Sequence, residues 1–215
     1  MNPNLDKLRT YPFEKLRDLY AGSTPPAGLA EIKLHIGEPQ HPTPQFIKDV
    51  LTANLNGLAS YPATNGSDDL RRSIAEWIAR RYGIPAPDIA TQVLPVAGSR
   101  EALFAIAQAV IERKHQQPVV ISPNPFYQIY EGAALLAGAE PVYLDCEQSA
   151  GYLPDLDAVP ESTWARCQLL YLCSPGNPTG AVLPPGYLRR VLELSQRHGF
   201  VIAADECYSE IYADD

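Results

Sequence analysis

The sequence predicts an α/β fold: a mostly parallel sheet with helices on both faces. Three observations carry that expectation. From residue 92 onward, short and nearly continuous apolar runs alternate with helical stretches, the pattern of strands buried on both faces between crossover helices. Clusters of Gly, Pro, Asn and Ser separate the runs, and such clusters mark turns. A chain of 215 residues, 46% hydrophobic and 20% charged, is long and apolar enough to bury a core.

Residues 1–45 read as an irregular arm and small-domain segment. It holds a short helix around Phe13 to Tyr20, the breaker "GSTPPAG" and a short strand "IKLHIG". Residues 46–215 read as part of a larger domain. The stretch "PTPQFIKDVLTANLN" opens near Pro44, and Phe46, Ile47, Val50 and Leu51 share one helical face. "SDDLRRSIAEWIARRYG" predicts a helix with Ser67 as N-cap, a buried stripe of Leu70, Ile74, Trp77 and Ile78, and Gly83 as terminator. Next come a strand "QVLPVAG", a helix "SREALFAIAQAVIERK" capped by Ser99, and a strand "PVVIS". A helix "FYQIYEGAALLAG" ends at Gly138 and leads into a strand "AEPVYLD". Finally, "CQLLYLCS" and "FVIAADE" are strands flanking the helix "PGYLRRVLELSQRHG".

Charge and cysteine content narrow the function. A net charge of −8 argues against nucleic acid as a partner. No apolar run reaches the ~20 residues of a membrane span, and "MNPNLDKLRTYPF" has no signal-peptide core. Cys146, Cys167, Cys173 and Cys207 lack CxxC spacing and paired His ligands, which predicts buried reduced thiols, no metal and a cytoplasmic setting.

Ligands of open parallel sheets sit at the carboxyl ends of the strands, and four such ends carry suggestive chemistry. Gly98-Ser99-Arg100 stands where a strand becomes a helix; its N–H groups suit a phosphate, or Ser99 is an N-cap and nothing more. Tyr127 and Tyr130 come after Pro123 and Pro125, as a stacking face for a planar ring or as ordinary core aromatics. Asn177 in "CSPGNPTG" offers an amide donor, against the alternative of a plain turn, and Asn177–Pro178 is a candidate cis bond. Asp205 ends an apolar strand, where a carboxylate is costly without a partner; it either meets a cationic ring nitrogen or caps the next helix. Tyr208 stands three residues on. Phosphate cradle, aromatic, amide and carboxylate together suit pyridoxal 5′-phosphate, PLP.

In order along the chain, "IGEP", "YPATNGSDDLRRSIAEW", "VAGSREALF", "SPGNPTG" and "ADECY" resemble the fold-type I, class I/II aminotransferases. "MNPNLDKLRTYPFEKLRDL", "IKLHIGEPQHPTP" and "SPNPFYQIYEGAALLAGAEP" look like the succinyldiaminopimelate branch of that family. The resemblance implies PLP-dependent transamination between N-succinyl-L,L-2,6-diaminopimelate and 2-oxoglutarate in lysine and peptidoglycan precursor biosynthesis, by a homodimer. It implies that Gly98, Ser99 and Arg100 hold the cofactor phosphate and that Tyr127 stacks on the ring. Asn177 and Tyr208 would bond the phenolic oxygen, and Asp205 the ring nitrogen. Gly37 would approach the substrate carboxylate, Tyr11 would stand near the substrate entrance, and Tyr61 would reach the phosphate of the partner subunit. Arg100 departs from the Lys common in relatives.

The family also needs a Schiff-base lysine. Lys7, Lys15, Lys33, Lys48 and Lys114 all lack its serine-rich context, so the expectation places it downstream of Asp215, with the small domain that clamps the substrate carboxylate. On that expectation the 215-residue chain alone aggregates and does not transaminate. Other readings are an aspartate- or alanine-type aminotransferase, and a cofactor-sensing or non-catalytic domain of the same fold. No helix-turn-helix segment precedes residue 30 to support a regulator.

Overall fold

A computed structural model describes residues 1–30, 32, 34–39, 41–114 and 117–212. The helices are α1 Pro12–Tyr20, α2 Gln45–Ala53, α3 Asp68–Tyr82, α4 Ser99–Val110, α5 Ile129–Ala137, α6 Glu161–Trp164 and α7 Pro185–His198. The strands are β1 Val119–Asn124, β2 Glu140–Asp145, β3 Cys167–Cys173 and β4 Val201–Asp205. They fall into two compact units, Met1–Arg9 with Val96–Asp215, and Thr10–Pro95.

The first unit is the expected parallel sheet. Its strand order is β2-β1-β3-β4, and every neighbouring pair is parallel. Side chains alternate across the sheet, as the period of two requires. Val119, Ile121, Leu170 and Leu172 face a core completed by Val191 and Leu194 of α7 with Trp164, Leu183 and Phe200. Val120, Leu169, Tyr171 and Ala203 face the opposite core, built with Leu103 and Ala107 of α4 and Tyr130, Ala133 and Ala134 of α5. The two central strands, β1 and β3, are therefore apolar on both faces, which explains their unbroken apolar runs in the sequence. Small residues at Ala107, Ala133 and Ala134, none exposed, give α4 and α5 a tight seam. Both α5 and α7 stop at a left-handed glycine, Gly138 and Gly199, a conformation in which a Cβ is strained. The N-terminal residues dock here too: the Asn2 amide donates to the Leu136 carbonyl at 3.2 Å.

In the second unit Ser67 caps α3, its Oγ accepting from the Leu70 N–H at 3.2 Å, and Gly83 ends the helix in the left-handed region. Three expectations fail. The apolar stripe on α3 is not buried as a set: Leu70 and Trp77 are exposed, and the buried positions are Arg71 and Ala75. The reason is electrostatic, because the Arg71 guanidinium turns inward to donate to the Ile89 carbonyl at 2.5 Å and to pair with Asp68. The run 92–98 forms no strand, and Leu94 and Val96 stay exposed. "IKLHIG" forms none among its described residues either, and Lys33 lies outside them. An extended segment without a neighbouring strand leaves its N–H and C=O groups to water.

Candidate active site

The carboxyl ends of β1, β3 and β4 lie at one edge of the sheet, and the chain reverses its direction of travel across the sheet between β1 and β3. Such a switch point opens a crevice above the strands. Seven of the expected residues, Gly98, Ser99, Arg100, Tyr127, Asn177, Asp205 and Tyr208, stand on the segments that leave this edge or at the start of α4.

Asp205, the last residue of β4, is 8% exposed. Its Oδ2 accepts from the Tyr130 hydroxyl at 2.7 Å, and its Oδ1 accepts a long 3.4 Å contact from the Cys207 N–H. The carboxylate therefore does more than cap the turn after β4. Neither partner carries a positive charge, and a buried carboxylate held by neutral donors favours a cationic ligand on its remaining lone pairs. Tyr208 faces the same ground: burial, with Cys173, Cys207, Asp205 and Tyr127 nearby, holds its phenol above the ordinary value. It stays a neutral hydrogen-bond donor at neutral pH.

Ser99 is the first residue of α4, not its cap; Gly98 holds the cap position, and no side chain caps the helix. The cap-only reading of Ser99 therefore fails. The Ser99 hydroxyl instead accepts from the Cys207 thiol at 3.2 Å, a contact spanning 108 residues of sequence that brings the α4 start to the end of β4. First-turn N–H groups of a 12-residue helix suit an anion. Arg100 lies exposed beside them, paired with Glu101 at 3.4 Å. That carboxylate, and then Tyr127, raise the guanidinium pKa further.

Tyr127 is half-buried and meets Tyr130 edge-on, with ring centroids 6.1 Å apart. Asn177 is exposed on the turn after β3; its bond to Pro178 is cis, as are Asn124–Pro125 and Ser174–Pro175. The small cavity beside this turn, lined by Pro123, Cys173, Asn177 and Thr179 among others, holds about 20 Å³. That is room for one water and not for an aromatic ring.

Gly37, Tyr11 and Tyr61 belong to the second unit. Tyr11 packs on Phe13 with centroids 5.3 Å apart, Tyr61 is fully exposed, and Gly37 has open space where a Cβ would project. Two contacts were invisible in the sequence. Tyr130 reads there as one of a pair of aromatics, and only its place at the start of α5, near a strand end, could have signalled its bond to Asp205. Of the four thiols expected to be buried only Cys167 is: Cys146 and Cys173 are half-buried and Cys207 is exposed, and the Cys207 contact with Ser99 has no signal in the sequence. Among the described residues no cluster of three metal-ligating side chains occurs, and no helix is long and apolar enough to cross a membrane.

The family model for aminotransferase class I and II matches residues 30–215. The chain belongs to the class I and II aminotransferases. Within that family, the LL-diaminopimelate aminotransferase of Desulforudis audaxviator is 33% identical over 209 residues, 96% of this chain and 52% of that protein. A solved aminotransferase from Neisseria meningitidis Z2491 is 46% identical with a TM-score of 0.94, covering 100% of this chain and 54% of the other. The aminotransferase AspB of Helicobacter pylori 26695 is 35% identical with a TM-score of 0.88, covering 97% and 54%. The chain thus spans about half the length of the aminotransferases it matches.

Proposed function

We propose that this chain forms the cofactor-holding part of a PLP-dependent aminotransferase whose amino donor is a diaminopimelate derivative and whose acceptor is 2-oxoglutarate. The observation that carries the reading is Asp205: a buried carboxylate at a strand end, bonded by neutral donors and beside the start of α4. It fits PLP, which joins a pyridine nitrogen to a phosphate. When bound, PLP supplies an electron sink for the carbanion formed at the substrate α-carbon.

The residues divide the work. Gly98, Ser99 and Arg100 bind the phosphate through N–H, hydroxyl and guanidinium donors. Tyr127 lies against the ring and fixes its plane. Asp205 keeps the ring nitrogen protonated, because an adjacent carboxylate favours the charged form. Asn177 and Tyr208 donate to the phenolic oxygen and so favour its anion. Gly37 and Tyr11 attend the substrate, and Tyr61 reaches the phosphate of a second subunit in a homodimer.

Lys7, Lys15 and Lys48 lie in helical turns or helices, and Lys114 precedes β1 at the opposite end of the sheet. None of these four stands on a segment that leaves the carboxyl edge of the sheet, so none is assigned as the amine that takes the α-proton; Lys33 lies outside the described residues.

N-Succinyl-L,L-2,6-diaminopimelate is the favoured donor, from the N-terminal motifs that resemble that branch. The names of the curated relatives favour a second reading, LL-diaminopimelate itself. The protein, in the full form its gene encodes and loaded with PLP, should lose its cofactor absorbance band on mixing with one donor. Rapid bleaching by the succinylated donor and none by LL-diaminopimelate supports the first reading, and the reverse supports the second. Bleaching by aspartate alone contradicts both.

A further inference from the structure

Beyond the residues that would touch the cofactor, a buried aromatic pair acts on Asp205. We propose that Tyr130, braced by Tyr171, is a positioning residue that occupies Oδ2 of Asp205 and so presents Oδ1 to the cofactor ring nitrogen. The inference rests on the PLP reading above.

Tyr130 is 1% exposed, so its hydroxyl cannot turn to water. Its ring is stacked on Tyr171 with centroids 4.5 Å apart and planes 12° apart, and it meets the Tyr127 edge on another side. Tyr171 is wholly buried on β3 and donates its own hydroxyl to the Leu103 carbonyl of α4 at 2.6 Å. The stack therefore ties together β3, α5 and the helix that begins at Ser99, and the 2.7 Å bond to Oδ2 adds the end of β4. Among the described residues, the titratable groups beside Asp205 besides Tyr130 are Cys173, Cys207, Tyr208 and the adjacent Glu206. None is a cation. A phenol this deeply buried beside a carboxylate stays protonated, since burial and the Asp205 bond both push it far up. It donates at any working pH. With Oδ2 fixed, the carboxylate is restrained in rotation and keeps acceptor capacity on Oδ1 beside the long 3.4 Å Cys207 contact, which is how a supporting hydrogen bond orients a binding group.

The test compares Tyr130→Phe and Tyr171→Phe in the full form the gene encodes. Three readouts are taken: thermal midpoint, PLP dissociation constant from cofactor absorbance, and the Asp205 carboxyl carbon resonance in protein carrying carbon-13 aspartate without added PLP. Asp205→Asn assigns that resonance. Tyr130→Phe keeps the stacked ring, so its midpoint should fall by no more than about 4 °C. Its Asp205 resonance should move and its PLP dissociation constant should rise about tenfold, the value of one bond to a charged group. Tyr171→Phe cuts the brace at Leu103 but leaves the phenol on Asp205, so both changes should be smaller even if its midpoint falls further. An unmoved resonance or an unchanged dissociation constant in Tyr130→Phe overturns the proposal. So does a Tyr171→Phe variant that matches Tyr130→Phe in both. Failure of the wild type to bind PLP overturns the functional reading instead, and the resonance alone then decides whether Tyr130 holds Asp205.

Discussion

Replacing Asp205 with Asn removes one negative charge from the end of β4 while keeping the shape of the side chain. In the wild type that carboxylate is 8% exposed and accepts from Tyr130 at 2.7 Å. The Asn oxygen can still accept from the phenol, so the fold keeps its buried bond and its core. What disappears is the charged half of the pair with a pyridine nitrogen. Hydrogen bonds to charged groups contribute about 1.5–3 kcal/mol. At about 1.4 kcal/mol per factor of ten, PLP binding should weaken roughly 10- to 100-fold. The assay is titration with PLP followed by absorbance, beside a thermal melt of each protein. A variant that melts within a few degrees of the wild type and binds at least tenfold more weakly fits the account. Equal affinity in both proteins would refute it, because Asp205 would then have no charged partner in the cofactor.

The same structure fixes three further outcomes. Ser67→Ala removes the Oγ that accepts from the Leu70 N–H and should destabilise α3 by about 1 kcal/mol, read from denaturant unfolding of the protein. Gly66→Ala places a Cβ 2.8 Å from Cγ of Pro95 at a φ of 74°, so it should cost more than the ~1 kcal/mol of left-handed strain alone, again by denaturant unfolding. Burial pushes the Cys167 thiol from 9.0 up to about 12. The unfolded chain therefore loses this proton first: the stability tied to the neutral thiol is complete below pH 9.0 and is lost as pH rises towards about 12. Cys167→Ala should flatten that alkaline decline in a pH series of melts, and in the wild type at pH 8 a thiol reagent should label exposed Cys207 before Cys167.

The sheet was legible because its central strands, β1 and β3, are apolar on both faces. Val119 to Ile121 and Leu169 to Leu172 leave no polar gap, and the glycines at 138 and 199 mark the helix ends. The run at 92–98 misled because apolar composition alone cannot supply a neighbouring strand. The α3 stripe misled because Arg71, a residue expected in water, is buried with its guanidinium on the Ile89 carbonyl and on the exposed Asp68 carboxylate. Asp205, Tyr127, Asn177 and Ser99 were legible at strand and helix ends, where polar residues interrupt apolar runs. Their supports were not: Tyr130 is 75 residues from Asp205, and Tyr171 reads as one more apolar strand position. A single chain sequence carries no record of which buried aromatic meets which carboxylate.

The central claim is that the carboxyl edge of the β1-β3-β4 sheet seats PLP on residues of this chain. A crystal structure of the full protein grown with PLP tests it most directly. The account predicts the ring nitrogen within hydrogen-bond distance of Asp205 Oδ1, the ring against Tyr127 and the phosphate at the start of α4 beside Ser99. A cofactor bound elsewhere, or one whose ring nitrogen lacks contact with Asp205, contradicts it.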